Sequence, residues 1–157
     1  MSLFENSDYR WRETCFVMVS ATARPKIENI RSQLADRFEI GTAVANDDGE
    51  IVTLTIYSPN DFSAMDICFV DGEEVTEQMD DLLAELKQGT LDAVELGRLD
   101  DIAKCDARLD VLHFERVMEP ADSEEEFLDP GSLLLVLEEL AGICGGIGVD
   151  PQSGTIL

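Results

Sequence analysis

The chemistry open to this chain is bounded first by its one histidine, His113, in the run LDVLHFERV. Any Ser-His-Asp or Cys-His relay would have to pass through it, because imidazole is the base that such nucleophiles use near neutral pH. The sequence sets no nucleophile beside it. Between Leu112 and Phe114 it reads as a structural histidine that fills a half-buried strand position with one hydrogen bond. The four cysteines, Cys15, Cys68, Cys105 and Cys144, are nowhere closer than 37 residues, so none has metal-ligand spacing, and zinc needs clustered cysteine and histidine. Cys15, Cys68 and Cys144 sit among apolar neighbours and read as buried, reduced thiols of a cytoplasmic protein.

Paired carboxylates recur at Asp47-Asp48, Asp80-Asp81, Asp100-Asp101 and Glu138-Glu139. A general acid needs a carboxyl in an apolar pocket, and these pairs fall in turns or on outer helix faces. Asp47-Asp48-Gly49-Glu50 lacks the alternating ligands and the length of a calcium loop. Gly145-Gly146-Ile147-Gly148 closes a helical stretch, whereas a dinucleotide loop must open one to place pyrophosphate on a helix N-terminus. No residue is singled out as catalytic, cofactor-binding or metal-ligating, and no cofactor is implied.

The elements around these residues suit one domain: 157 residues, 45% of them apolar, bury a core without disulfides or metal. The apolar stretch from Leu133 to Val149 contains Glu138 and Glu139, which argues against a membrane span, and no basic segment followed by an apolar one opens the chain as a secretory signal would. The net charge of −23 comes from 34 acidic residues against 3 lysines and 8 arginines. Residues 1–40 are balanced, six acids against six bases, and no base follows Arg116. Such a surface repels nucleic acid and anionic membrane and favours basic partners, or serves solubility in a salty cytoplasm.

Residues 4–13 read as a polar approach segment, and TCFVMVS (14–20) as a central strand. Ile27, Ile30, Leu34 and Phe38 share a helical stripe behind Pro25. Strands are expected over 39–46 and 50–58 around the Asp47-Asp48-Gly49 turn, with a break at Pro59-Asn60-Asp61 and a further strand over 64–70. Asp71 with Glu74 suggests a capping box for a helix through Val75, Met79, Leu82 and Leu86 that ends at Gly89. A second helix over 90–104, a strand over 108–117 with mixed faces, and an acidic loop over 118–129 follow. The closing helix, capped by Ser132 or Asp129, turns Leu133, Val136, Leu137, Leu140 and Cys144 inward, and Gly145-Gly146 leads into the last strand pair.

Residues 27–52 and 132–157 run through a similar programme, with Leu34-Ala35 matching Leu140-Ala141. The expected fold is therefore α+β: one domain over 1–157, an antiparallel sheet with helices packed on one face, and two duplicated β-α-β-β (ferredoxin-like) halves, about 13–58 and 107–157, joined by the helical segment 71–104. Leu135 falls in the middle of the closing helix's outer face and Leu134 on its shoulder, so Leu134, Leu135, Glu138 and Glu139 form the expected interface. The expected role is non-catalytic: protein–protein contact or regulation, through a homodimer or a protein partner, with no nucleic acid and no membrane. The alternatives are a small-molecule-binding regulatory or enzymatic domain with its pocket between sheet and helices, and an acidic mimic that inhibits a basic nucleic-acid-binding protein.

Overall fold

The computed structural model describes residue 3 and residues 6–58, 62–88, 92–117 and 131–157. Seven strands form one antiparallel sheet: β1 (Tyr9–Val19), β2 (Glu39–Ala45), β3 (Ile51–Ser58), β4 (Ser63–Asp71), β5 (Ala107–Arg116), β6 (Ile147–Asp150) and β7 (Thr155–Ile156). Their order is β2-β3-β4-β5-β1-β6-β7. Four helices accompany them: α1 (Ile27–Leu34), α2 (Glu73–Leu86), α3 (Ala93–Ala103) and α4 (Gly131–Cys144).

The expected one-sided arrangement is corrected: helices cover both faces. In β1, Cys15, Val17 and Val19 join a core cluster with Ile27, Ile30 and Leu34 of α1 and Leu133, Val136, Leu137 and Leu140 of α4. Alternate residues point the other way, and Met18 packs with Val75, Met79, Leu82 and Leu86 of α2 and Leu99 and Ile102 of α3. The physical reason lies in TCFVMVS itself, which is apolar at odd and even positions alike. A strand of that kind needs cover on both sides. Each fully buried residue of this size contributes about 1.5–3 kcal/mol.

Both halves keep the element order β-α-β-β, yet they are placed differently in the sheet. Between β1 and β2 stand β5, β4 and β3; between β5 and β6 stands only β1. The sheet is larger than a simple ferredoxin-like one, and a duplicated plait is not evident in its strand order.

Local differences have simple causes. β1 begins at Tyr9, so residues 9–13 are strand and not approach: they pair with the far end of β5, with a register shift between Trp11 and Glu13. Asp71 ends β4, and α2 starts behind Gly72 with no side-chain cap. The capping box forms one helix later, where the Asp92 carboxylate accepts from Glu95 N and the Glu95 carboxylate accepts from Asp92 N. Ser132 lies inside α4, buried, and does not cap it. Pro59-Asn60-Asp61, Gly89 and the whole acidic loop over 118–129, Asp129 included, lie outside the described residues. After α4, Gly145 takes φ +63° and Gly146 passes so close to β1 that a Cβ there would stand 2.7 Å from Met18 O.

Candidate ligand slot under the second helix

β1 and β5 are direct neighbours, with Met18 opposite Arg108 and Phe16 opposite Asp110. All four face α2. The even positions of β5 therefore bring a charged pair beneath a helix whose inner stripe is Val75, Met79 and Leu82. The result is a slot of about 260 Å³ between α2 and the sheet, with Pro151 of the β6–β7 turn also in its lining. Asp81 and Glu85 stand at its rim.

Arg108 is only 6% exposed. Its Nε donates to Asp110 Oδ1 at 2.6 Å and its Nη1 to Gln78 Oε1 at 2.6 Å. The guanidinium carbon lies 4.3 Å from the centre of the Phe16 ring. Among the described residues Nη2 has no hydrogen-bond partner. Burial raises the Asp110 carboxyl above its ordinary value, against the hydrogen bond and charge of Arg108, which lower it; Glu74 raises it further. An arginine drawn this far from water is stable only because a carboxylate and an amide oxygen meet it, and two methionines in the walls can reshape around an occupant.

Elsewhere the expected residues fare differently. Leu134 is 46% exposed and Glu138 is exposed, but Leu135 packs against the α1/α4 core and Glu139 is half-buried. Leu135 was expected on the middle of the outer face; α1 lies beside α4 and covers that flank. His113 is fully buried on the α1/α4 face, and neither ring nitrogen has a hydrogen-bond partner. The single bond expected for it is missing: Glu13 Oε2 stays 3.7 Å from Nδ1. Burial holds the imidazole below its ordinary value, against the pull of Glu13.

All four cysteines are free thiols: Cys15 and Cys144 are buried, Cys68 and Cys105 half-buried. Burial first, then neighbouring carboxylates, pushes Cys15 up to about 12 and Cys68 to about 11. The N-terminal bases are partly used inside the chain. Arg10 and Arg12 reach Glu115, and Arg24 donates to Ile51 O while lying over Phe69. Among the described residues no group of three or more His, Cys, Asp or Glu side chains could hold a metal ion, and no helix is long and apolar enough to cross a membrane.

The sequence reading passed over Arg108 and Asp110. Their signal is a charged pair at i and i+2 on a strand whose other face is apolar over the same stretch, at Ala107, Leu109 and Val111. Comparison of the chain with protein-family models, with curated proteins and with solved structures finds no match.

Proposed function

We propose that this chain is a non-catalytic, small-molecule-binding regulatory domain, and that its ligand occupies the slot between α2 and the sheet. The observation that carries this reading is Arg108: largely buried, held by Asp110 and Gln78 and stacked on Phe16, with no protein partner for Nη2 among the described residues, at the wall of a slot whose inner lining is mostly apolar. Sites of this construction bind an apolar body and fix it with one or two polar groups. Asp110 already balances the arginine's charge, and Asp81 and Glu85 stand at the rim. A compact molecule with one neutral acceptor, a carbonyl or amide, fits better than a phosphate, which the acidic surface repels. Four free thiols agree with a cytoplasmic setting.

Native mass spectrometry of the freshly purified chain tests the reading. A retained small organic molecule, lost from an Arg108→Met/Asp110→Leu variant, is expected. The same molecule retained by that variant would place the site elsewhere.

A second reading, self-association or docking of a protein partner, draws on a different observation. Leu134, Leu137 and Leu157 line a hollow of about 320 Å³ with Arg98 and Glu138. If this surface joins two copies, Leu134→Glu converts a dimer to a monomer in light scattering; a wild-type monomer ends the self-association reading.

A further inference from the structure

The polar groups that α2 gives to the slot stand in a row. Gln78, Asp81 and Glu85 all belong to its lining. Their spacing, i, i+3 and i+7, puts them on one stripe of the helix. Gln78 marks the place of the arginine, because its Oε1 accepts from Arg108 Nη1 at 2.6 Å. Asp81 and Glu85 follow about 5 and 10 Å farther along the helix axis. Both are exposed, and neither has an ion-pair partner among the described residues.

The charge of this row is one-sided. Helix α2 holds six acids and no base. The one base in the slot's lining is Arg108, 6% exposed and already paired with Asp110. Among the described residues its Nη2 has no hydrogen-bond partner. The slot therefore offers a neutralised donor inside, two unpaired carboxylates at the rim, and an apolar wall of Phe16, Met18, Val75, Met79 and Leu82.

We infer that the slot's ligand is a monocation: an apolar chain with a neutral carbonyl at one end and a protonated amine at the other, as in an N-acylated diamine. The inference rests on the slot being the ligand site. The carbonyl accepts from Arg108 Nη2, and the methylenes lie along the apolar wall. The ammonium stands between Asp81 and Glu85, which are i and i+4 neighbours on α2. A carboxylate or phosphate in the ammonium's place meets two like charges and an acidic surface. A second ammonium in the carbonyl's place meets the Arg108 guanidinium. Together these select a molecule with a single positive charge at its outer end.

The experiment is isothermal titration of the full chain at low ionic strength with three probes at up to about 10 mM, which reaches millimolar dissociation constants. N-acetylcadaverine carries both groups, N-pentylacetamide lacks the amine, and cadaverine lacks the carbonyl. N-acetylcadaverine should bind about threefold to tenfold tighter than N-pentylacetamide, the worth of ion pairs at an exposed rim. Added salt should shrink that advantage, and cadaverine should bind more weakly than either. Asp81→Asn/Glu85→Gln changes exposed side chains only. It should keep the melting temperature of the free chain and bring N-acetylcadaverine down to the affinity of N-pentylacetamide. Arg108→Met/Asp110→Leu should weaken both amides about tenfold. N-pentylacetamide binding as tightly as N-acetylcadaverine, with both weakened in Arg108→Met/Asp110→Leu, overturns the inference and leaves the slot as the site. An advantage of the amine that survives Asp81→Asn/Glu85→Gln, or no binding of N-acetylcadaverine, also overturns it. Binding of both amides undiminished in Arg108→Met/Asp110→Leu overturns the slot itself.

Discussion

Arg108→Met separates what the buried arginine does for the fold from what it does for a ligand. The substitution removes two charge-assisted hydrogen bonds, to Asp110 and Gln78, and a stacked cation over Phe16. It keeps most of the side chain's apolar length against Met18 and Met79. The larger effect is what it leaves behind: the Asp110 carboxylate in a largely buried place with no partner. Breaking a buried pair costs about 3–5 kcal/mol. Asp110 keeps 19% of its side-chain exposure and can draw in water, so the low end applies. For a chain of 157 residues, a loss of about 3 kcal/mol lowers the melting temperature by roughly 6–12 °C.

Adding Asp110→Leu removes the stranded carboxylate, and the exposed Gln78 turns to solvent. The double variant should return to within about 1 kcal/mol of the starting chain, because apolar replacement of a buried pair is often neutral or better. Thermal and urea unfolding of all four chains closes the cycle, with an expected coupling of at least about 2 kcal/mol, the loss in Arg108→Met less that in the double variant, and more by whatever Asp110→Leu alone costs. A pH series adds a sign. The Asp110 carboxyl is raised above 3.8 in the folded chain, and further without Arg108. A raised carboxyl is a burden only while ionised, so the deficit of Arg108→Met relative to the double variant narrows as pH falls from neutrality through the raised value. A double variant as unstable as the two single changes summed refutes the pairing argument. A stable double variant that still holds the ligand refutes the slot as its site.

Other expectations follow from the same structure. His113→Leu removes two unpartnered ring nitrogens from a fully buried position, so stability at pH 7.5 should hold or rise by about 1 kcal/mol in urea unfolding; a clear loss would reveal a bond to the ring. The pH profile should change too. The folded imidazole, facing Glu13, Arg12 and Glu115, is held below 6.5, so its contribution is present above 6.5 and is lost as pH falls below it. The variant should flatten that decline. Gly146→Ala puts a methyl 2.7 Å from Met18 O and from Val19 Cγ1, and calorimetry should show a loss of about 1–3 kcal/mol, since neither the backbone of β1 nor its buried valine can give way. Alkylation of the folded chain at pH 8 should spare Cys15, whose thiol is buried and raised to about 12, until urea exposes it; labelling as fast as a free thiol would show that β1 opens locally.

Much of the fold was legible because single elements carry their own signals. The stripe Ile27, Ile30, Leu34 gives α1, the stripe Val75, Met79, Leu82, Leu86 gives α2, and all eight residues of Ile51–Ser58 lie within the strand expected there. What was not legible is where elements meet. The insertion of β5 between β4 and β1 depends on pairing between residues about a hundred positions apart, such as Cys15 with Val111, and no local pattern encodes it. One conclusion was open to the sequence and was missed. In TCFVMVS both faces are apolar, so a one-sided sheet would leave Phe16 and Met18 in water. With α1 and the closing helix assigned to one face, the helical segment 71–104 had to cover the other.

The same reasoning explains why the slot did not stand out. The i, i+2 spacing of Arg108 and Asp110 is the one mark the sequence offers, and it is a weak one, because charged pairs of that kind are common on solvated strand faces. Arg108 acquires its character from Asp110 two residues away and from Gln78 thirty residues away, on a helix that folds back over the sheet. The slot lies under α2, a helix attached to the sheet through one apolar stripe, so an occupant can move it. An occupant should therefore change amide exchange along α2 and leave the paired amides of β1 and β5 protected. Hydrogen exchange with the ligand bound tests this. Unchanged exchange along α2 would show that the ligand sits elsewhere.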